Sequence, residues 1–216
     1  TADLSLDEAE QEIVHFAEIC YNDFGYMRQA IAEDSPEKLG QLREKLVKYE
    51  AITDRIEYEI ADYLNEVAKG EISESSARRI KGMYKIISEL ESIGDSGDAV
   101  GRILVRRNEH GLSFDAEQLK RLGRMCDLVD DAFKAMTANL KAAYTSLKDI
   151  TNAQDAEYNI NECRNTLREE HIINIEENPD YNYQVGVFYM DIVAELEKVG
   201  DFIINVSEAK IAENGE

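Results

Sequence analysis

Glu89-Leu90-Glu91-Ser92-Ile93-Gly94-Asp95 returns 106 positions later as Glu195-Leu196-Glu197-Lys198-Val199-Gly200-Asp201, with five of seven residues identical. Each copy lies inside a long run without proline, so each reads as the middle of a helix. Glycine in a helix interior costs about 1 kcal/mol relative to alanine. A helix that keeps that cost twice, with acids four residues apart on one face, is expected to have a backbone or a ligand approaching closely.

Working outward, helix signals dominate and only Pro36 and Pro179 interrupt them. Ser5 with Glu8 forms a capping-box pattern that predicts a first helix to about Glu33. Ser35-Pro36 opens a second, with proline at a tolerated position, and Gly70 is expected to close it. Ser73 caps a third, ending near Asn108 to Gly111. A fourth starts at Ser113 or Asp115, and a fifth between Thr145 and Asn152, where no sharp signal exists. It ends at Asn178-Pro179, and a sixth runs from about Tyr181 to the tail. No segment alternates with period two, so no sheet is expected.

Six helices and an internal repeat imply an all-α chain of two tandem three-helix bundles, 1–111 and 112–216, related by a pseudo-twofold repeat. Ile19-Cys20 and Met125-Cys126 keep the 106-residue offset, while the second helices align best at 107, pairing Glu50 with Glu157. No glycine-, serine- or proline-rich linker separates the halves, which are expected to pack as one elongated body.

The totals narrow the function. A net charge of −21 argues against nucleic acid and anionic membrane surfaces, and suits cations or a basic partner. No apolar run approaches the length of a membrane span, and no secretory signal pattern is present. Thr1 stands where an initiator Met would, which suggests a processed chain or a piece of something longer. Cys20, Cys126 and Cys163 are scattered and odd in number, so they read as buried small hydrophobes in a reducing compartment. The tyrosines mostly fall on helix seams and read as core.

The acids carry the chemistry. Ile80, Met83, Ile87, Leu90, Gly94, Gly97, Gly101 and Leu104 form a packing seam at spacings of three and four, and Glu91, Asp95 and Asp98 each follow a seam residue by one. The second helix repeats the design, with the seam Leu39, Leu42, Leu46, Tyr49, Thr53, Ile56, Ile60 and Tyr63 and the edge acids Glu50, Asp54 and Glu57. A short turn makes the two helices antiparallel neighbours, which would bring the six carboxylates onto one patch. Unpaired, they raise one another's pKa values. A multivalent cation removes the penalty, and an all-carboxylate set suits hard ions such as magnesium, manganese or iron, with zinc less suited. An isolated acidic pair on a helix is ordinarily a solvated face; the repetition and the matching acids on the neighbouring helix favour metal. In the second repeat the corresponding positions are Glu157, Asn161, Arg164, Glu197, Asp201 and Ile204. Arg164 is expected near Glu197, giving one strong site in the first repeat and a weak one in the second.

These residues resemble the PhoU family, whose members have two three-helix repeats with Glu/Asp-xxx-Asp motifs that can bind iron or zinc clusters. The family's Leu-Glu-Arg-Ile-Gly-Asp-like signature is matched by Leu90 to Asp95 and Leu196 to Asp201, with Ser92 and Lys198 at the variable position. Glu50-xxx-Asp54 fits the second-helix motif, and Glu157-xxx-Asn161 fits it imperfectly. The entry Glu71 to Ile80 departs from the Gln-Pro-rich form of free-standing members, and Leu167-Arg168-Glu169-Glu170-His171-Ile172 is similar to the cytoplasmic tail of sodium/phosphate cotransporter family proteins. The resemblance implies a metal-binding, non-catalytic regulatory domain in phosphate uptake, as the cytoplasmic tail of such a cotransporter at the inner face of the membrane. The alternative is a free-standing PhoU-type regulator of a phosphate transporter and its sensor kinase. The expected partner is therefore a membrane transporter, in the same polypeptide or separate, with homo-oligomers possible.

Two other classes fit these residues less well. A structural helical adaptor would use the acids only for solubility. Enzymes rank last: His15, His110 and His171 supply no Glu-x-x-His pair for a di-iron site, and there is no nucleophile triad or phosphate loop. Arg102, Arg106 and Arg107 could meet an anion but read as complements to a helix C-terminus.

Overall fold

The computed structural model describes Ala2 to Gly215; the expectations that touch Thr1 and the last tail residue fall outside these residues. Six helices follow in order: α1 (Ala2–Ile31), α2 (Pro36–Ala68), α3 (Glu74–Glu109), α4 (Ala116–Lys141), α5 (Thr151–Glu177) and α6 (Tyr183–Ala212). Among the described residues there is no strand, and no helix is long and apolar enough to cross a membrane.

The caps explain most boundaries. The Ser35 and Ser73 side chains accept from the backbone N–H of Lys38 and Ser76. Asp115 and Gln118 form a reciprocal capping box at the start of α4. α5 begins after Ile150 with no side-chain cap, which is why its start carries no sequence signal. Two expectations fail. α1 already begins at Ala2, so Ser5 lies within the helix instead of capping it. Gly70 does not take the left-handed conformation of a glycine stop; Gly111, with φ +67°, follows the end of α3 in that role.

α1, α2 and α3 contact one another, as do α4, α5 and α6, while α3 packs on α6 and α1 on α4. One apolar core draws on all six helices. Phe24 of α1 meets Phe133 of α4 with ring centroids 5.3 Å apart, and Asn205 of α6 donates to Glu89 of α3 at 3.1 Å. The three cysteines are buried and unbridged as expected, and burial lifts the Cys126 thiol to about 12.

The tyrosines depart from expectation. Tyr189 is buried, but Tyr21, Tyr58, Tyr63, Tyr158 and Tyr183 are exposed. Tyr63 and Tyr21 turn their hydroxyls outward, donating to Glu8 at 3.0 Å and to Asp130.

Charge is buried at both ends of α3. Arg107, fully buried, donates to the Glu33 carbonyl at 2.9 Å, meets Asp34 at 3.3 Å and lies over the Phe114 ring. It is a tie to the α1–α2 turn, not the exposed complement to a helix end that its position suggested. At the other end buried Arg79 pairs with Asp7 and Glu10 of α1 and covers the Tyr144 ring, and buried Lys210 of α6 reaches the same Glu10 at 2.7 Å.

Candidate metal centre

The α2–α3 contact is built on small residues. A Cβ added at Gly94 would fall 3.0 Å from Thr53 Cβ and closer still to its hydroxyl. One added at Gly97 would fall 2.9 Å from Asp23 Oδ2 of α1, and one at Gly101 would fall 2.9 Å from Arg43 Cδ. The close approach inferred from the mid-helix glycines is therefore made by neighbouring side chains. Gly200 repeats it in the second unit, its added Cβ falling 3.0 Å from Ile160 Cδ1. Thr53 and Ile160 are 107 apart, and Gly94 and Gly200 are 106 apart, so the packing reproduces the two repeat offsets.

With α2 held this close, the edge acids converge. Oxygens of Glu50, Asp54 and Asp95 all lie within 4.8 Å of one another. Burial, a hydrogen bond with Asp54 and the neighbouring Asp95 and Glu57 charges push Glu91 from an ordinary 4.5 up to about 9. Burial and the Asp54 and Asp95 charges also raise Glu50 and Glu57, with a hydrogen bond to Asp54 and the Asp98 charge adding to the rise at Glu50. Asp95 rises through burial and the Asp54 and Asp98 charges, against a hydrogen bond from Glu91 that pulls it down. The patch thus gathers five carboxylates, and the pKa values of Glu50, Glu57, Glu91 and Asp95 are raised.

The sixth has a different role. Asp98 is taken by Arg43 of α2 at 2.6 Å and by Arg102 of its own helix at 3.4 Å. The sequence reading missed Arg43 because it lies two turns before the acidic stripe, on a helix rich in both charges. It also missed Asp23. This α1 carboxyl is fully buried, neither oxygen has a hydrogen-bond partner, and burial plus the Asp98 charge lift it to about 8. Its signal was visible as a lone acid between Cys20 and Phe24 on an apolar face.

In the second repeat Arg164 does pair with Glu197. Glu157 is raised by burial and by the Asp201 and Glu208 charges, with Asn161 donating to it. Asp201 is raised by burial and Glu197, and Arg164 opposes that. Glu208 was not foreseen; it occupies the place of Arg102. The Arg43–Asp98 pair becomes Ile150 and Ile204, which pack together with Leu147 and Ala153. With these exchanges the two patches are close in charge. Six acids with Arg43 and Arg102 leave −4 in the first patch, and Glu157, Glu197, Asp201 and Glu208 with Arg164 leave −3 in the second. The asymmetry lies in geometry: among the described residues, only Glu50, Asp54 and Asp95 bring three ligand oxygens together.

Such a set fits a hard cation: oxygen donors only, and more negative charge than the fold neutralises. Glu50, Asp54 and Asp95 would be direct ligands, with Glu91 and Glu57 at the edge.

Residues 13–104 match the PhoU domain. Two curated relatives, the phosphate-specific transport system accessory protein PhoU homologs of Streptococcus pneumoniae serotype 4 (strain ATCC BAA-334 / TIGR4) and of strain ATCC BAA-255 / R6, are each 27% identical over 146 residues. Those alignments take in 66% of this chain and 63% of each relative's length. Among solved structures, the phosphate transport system regulatory protein PhoU from Streptococcus pneumoniae superposes with a TM-score of 0.80 at 18% identity, over 100% of this chain and 98% of that one. PhoU from Pseudomonas aeruginosa gives 0.75 at 16% identity, over 99% and 98%. Residues 13–104 thus carry the sequence match to the PhoU domain, and the all-α fold is similar to those two PhoU structures along the chain's length.

Proposed function

We propose that this protein is a non-catalytic, PhoU-type regulator of phosphate transport whose regulatory state depends on a metal ion held between α2 and α3. The observation that carries the metal reading is the convergence of Glu50, Asp54 and Asp95. Without a cation, the fold holds five unpaired carboxylates in one patch, a Coulombic penalty that a bound ion offsets. An ion there would lock α2 against α3 and rigidify the acidic face. Iron, manganese or magnesium fit the oxygen set, and zinc fits it less well.

The relatives' names, accessory and regulatory proteins of a phosphate transport system, favour a free-standing regulator over the cotransporter tail. The natural partner is then a phosphate transporter, with its sensor kinase, at the cytoplasmic side of a membrane. Catalysis receives no support, because no side chain in the patch is paired with a base that would activate it as a nucleophile.

Elemental analysis of protein purified without chelator, with melting curves before and after chelation, tests the metal reading. A ligand at a hundredfold excess over its dissociation constant adds about 2.7 kcal/mol. If chelation and added Mn²⁺, Fe³⁺ and Zn²⁺ all leave the midpoint unmoved, the adaptor reading replaces it. Phosphate-ester hydrolysis that disappears in Asp95→Asn would overturn the regulatory assignment.

A further inference from the structure

The two ends of the bundle at which a middle helix turns into a third helix share one backbone design but differ in surface. On the offsets that the Thr53–Gly94 and Ile160–Gly200 packing establishes, Asn65, Glu66, Ala68, Ala77 and Lys81 of the first end correspond to Ile172, Ile173, Ile175, Tyr183 and Val187 of the second. All five large apolar residues are 39% to 63% exposed. Leu167, a little over one turn earlier on α5, is buried. The Leu167–Ile172 stretch therefore leaves the core as it runs toward the tip. The first end shows that this fold is satisfied by small or polar residues at those positions. Single exposed apolar residues are ordinary, but a cluster confined to one tip marks a contact surface.

The tip is also braced. His171 Nδ1 and the Tyr181 hydroxyl are 2.7 Å apart, and a Cβ on Gly186 would fall 2.7 Å from His171 Cε1. α5 and α6 are therefore clamped just behind the apolar residues, so a partner meets a surface that is already ordered.

Charge selects the occupant. From 169 to 191 the chain carries Glu169, Glu170, Glu176, Glu177, Asp180 and Asp191 and no lysine or arginine. Among the described residues only Glu170 of this segment has a cation partner, Arg121 at 2.7 Å. A second copy would set these acids against the same acids, and an anionic membrane would do likewise. We propose that the α5–α6 tip is a docking surface for a partner protein whose apolar face is rimmed by lysine or arginine. The proposal is independent of the metal reading.

The test uses a fluorescein-labelled amphipathic helical peptide of leucine and lysine, and a leucine–glutamate counterpart, titrated with the full chain and followed by anisotropy. The lysine peptide should bind and the glutamate peptide should not. Ile172→Gln/Ile173→Gln, and separately Tyr183→Gln, should weaken binding at least tenfold, while Asn65→Gln/Glu66→Gln at the other tip should leave it unchanged. Equal affinity across all variants would overturn the proposal, since binding would then be a property of the acidic surface at large. A wild-type dimer in sedimentation equilibrium that the isoleucine variant loses would assign the tip to a second copy. Flotation with phosphatidylcholine vesicles that the same variant loses would assign it to lipid. Either result would overturn the partner-protein assignment.

Discussion

Glu91→Gln should stabilise the chelated protein and, in the same molecule, weaken its response to metal. Glu91 has a folded-state pKa of about 9 against an ordinary 4.5, chiefly from burial and then from Asp54 and Asp95. Between those values the folded chain holds a proton that the unfolded chain has released, so stability falls as pH rises through that window. At pH 7 the window has been crossed by about 2.5 units, a ceiling near 3.4 kcal/mol at about 1.36 kcal/mol per unit. Glu91 is only partly covered, and solvent screening brings the expected cost down to about 1–2 kcal/mol. Glutamine keeps the shape, donates to the Asp54 carboxylate and carries no charge. In thermal melts with chelator at pH 7.5, the variant should therefore unfold roughly 2–8 °C higher than the parent, at about 2–4 °C per kcal/mol for a chain of this size. At pH 5 the gap should nearly close. With saturating Mn²⁺ or Fe³⁺ the order should reverse, because the parent gains more from binding. A variant that melts below the parent in chelator at pH 7.5, or one whose advantage does not change with pH, would refute the reasoning.

Three further outcomes follow from the packing. Gly94→Ala should cost about 1–3 kcal/mol by overpacking against Thr53, and Thr53→Ala should recover much of it, whereas Gly200→Ala meets only the mobile end of Ile160 and should cost less in urea titrations. Arg43→Ile alone should destabilise by about 1–2 kcal/mol, since it strips Asp98 of a partner that is itself only partly covered; adding Asp98→Ile should restore stability, because the second repeat already holds Ile150 and Ile204 at those places. Asp23→Asn should change little at pH 4 and stabilise at pH 8, since between the ordinary 3.8 and about 8 the folded chain holds a proton that the unfolded chain has released; hydrogen–deuterium exchange or urea midpoints at the two pH values would show it.

Much of the fold was legible because periodicity and capping report on local backbone. The seam from Ile80 to Leu104 is buried throughout, and Ser35, Ser73 and Asp115 all cap as their positions suggested. The α2–α3 patch was legible because acids spaced at four and three must share a helix edge, and a short turn sets the register. The misses have a common cause. Arg43, Asp23 and Glu208 act across helices, and their role depends on which neighbour faces them. Charge counting within one stripe does not see that. The tyrosines misled because a ring at a seam position can lean out to solvent without leaving its helix.

The tie among Arg79, Glu10 and Lys210 bears on how this chain comes apart. Glu10 and Lys210 lie 200 residues apart in sequence, so the contact that completes one end of α3 forms only after nearly the whole chain has been gathered. Such a closure lowers folding speed more than it raises equilibrium cost, because loop entropy grows only with the logarithm of length. Once it is made, opening the first repeat strands the buried Lys210 of the second. The two repeats, though each could be drawn as a separate bundle, are therefore expected to lose structure in one concerted step, with the first and last helices reporting the same transition.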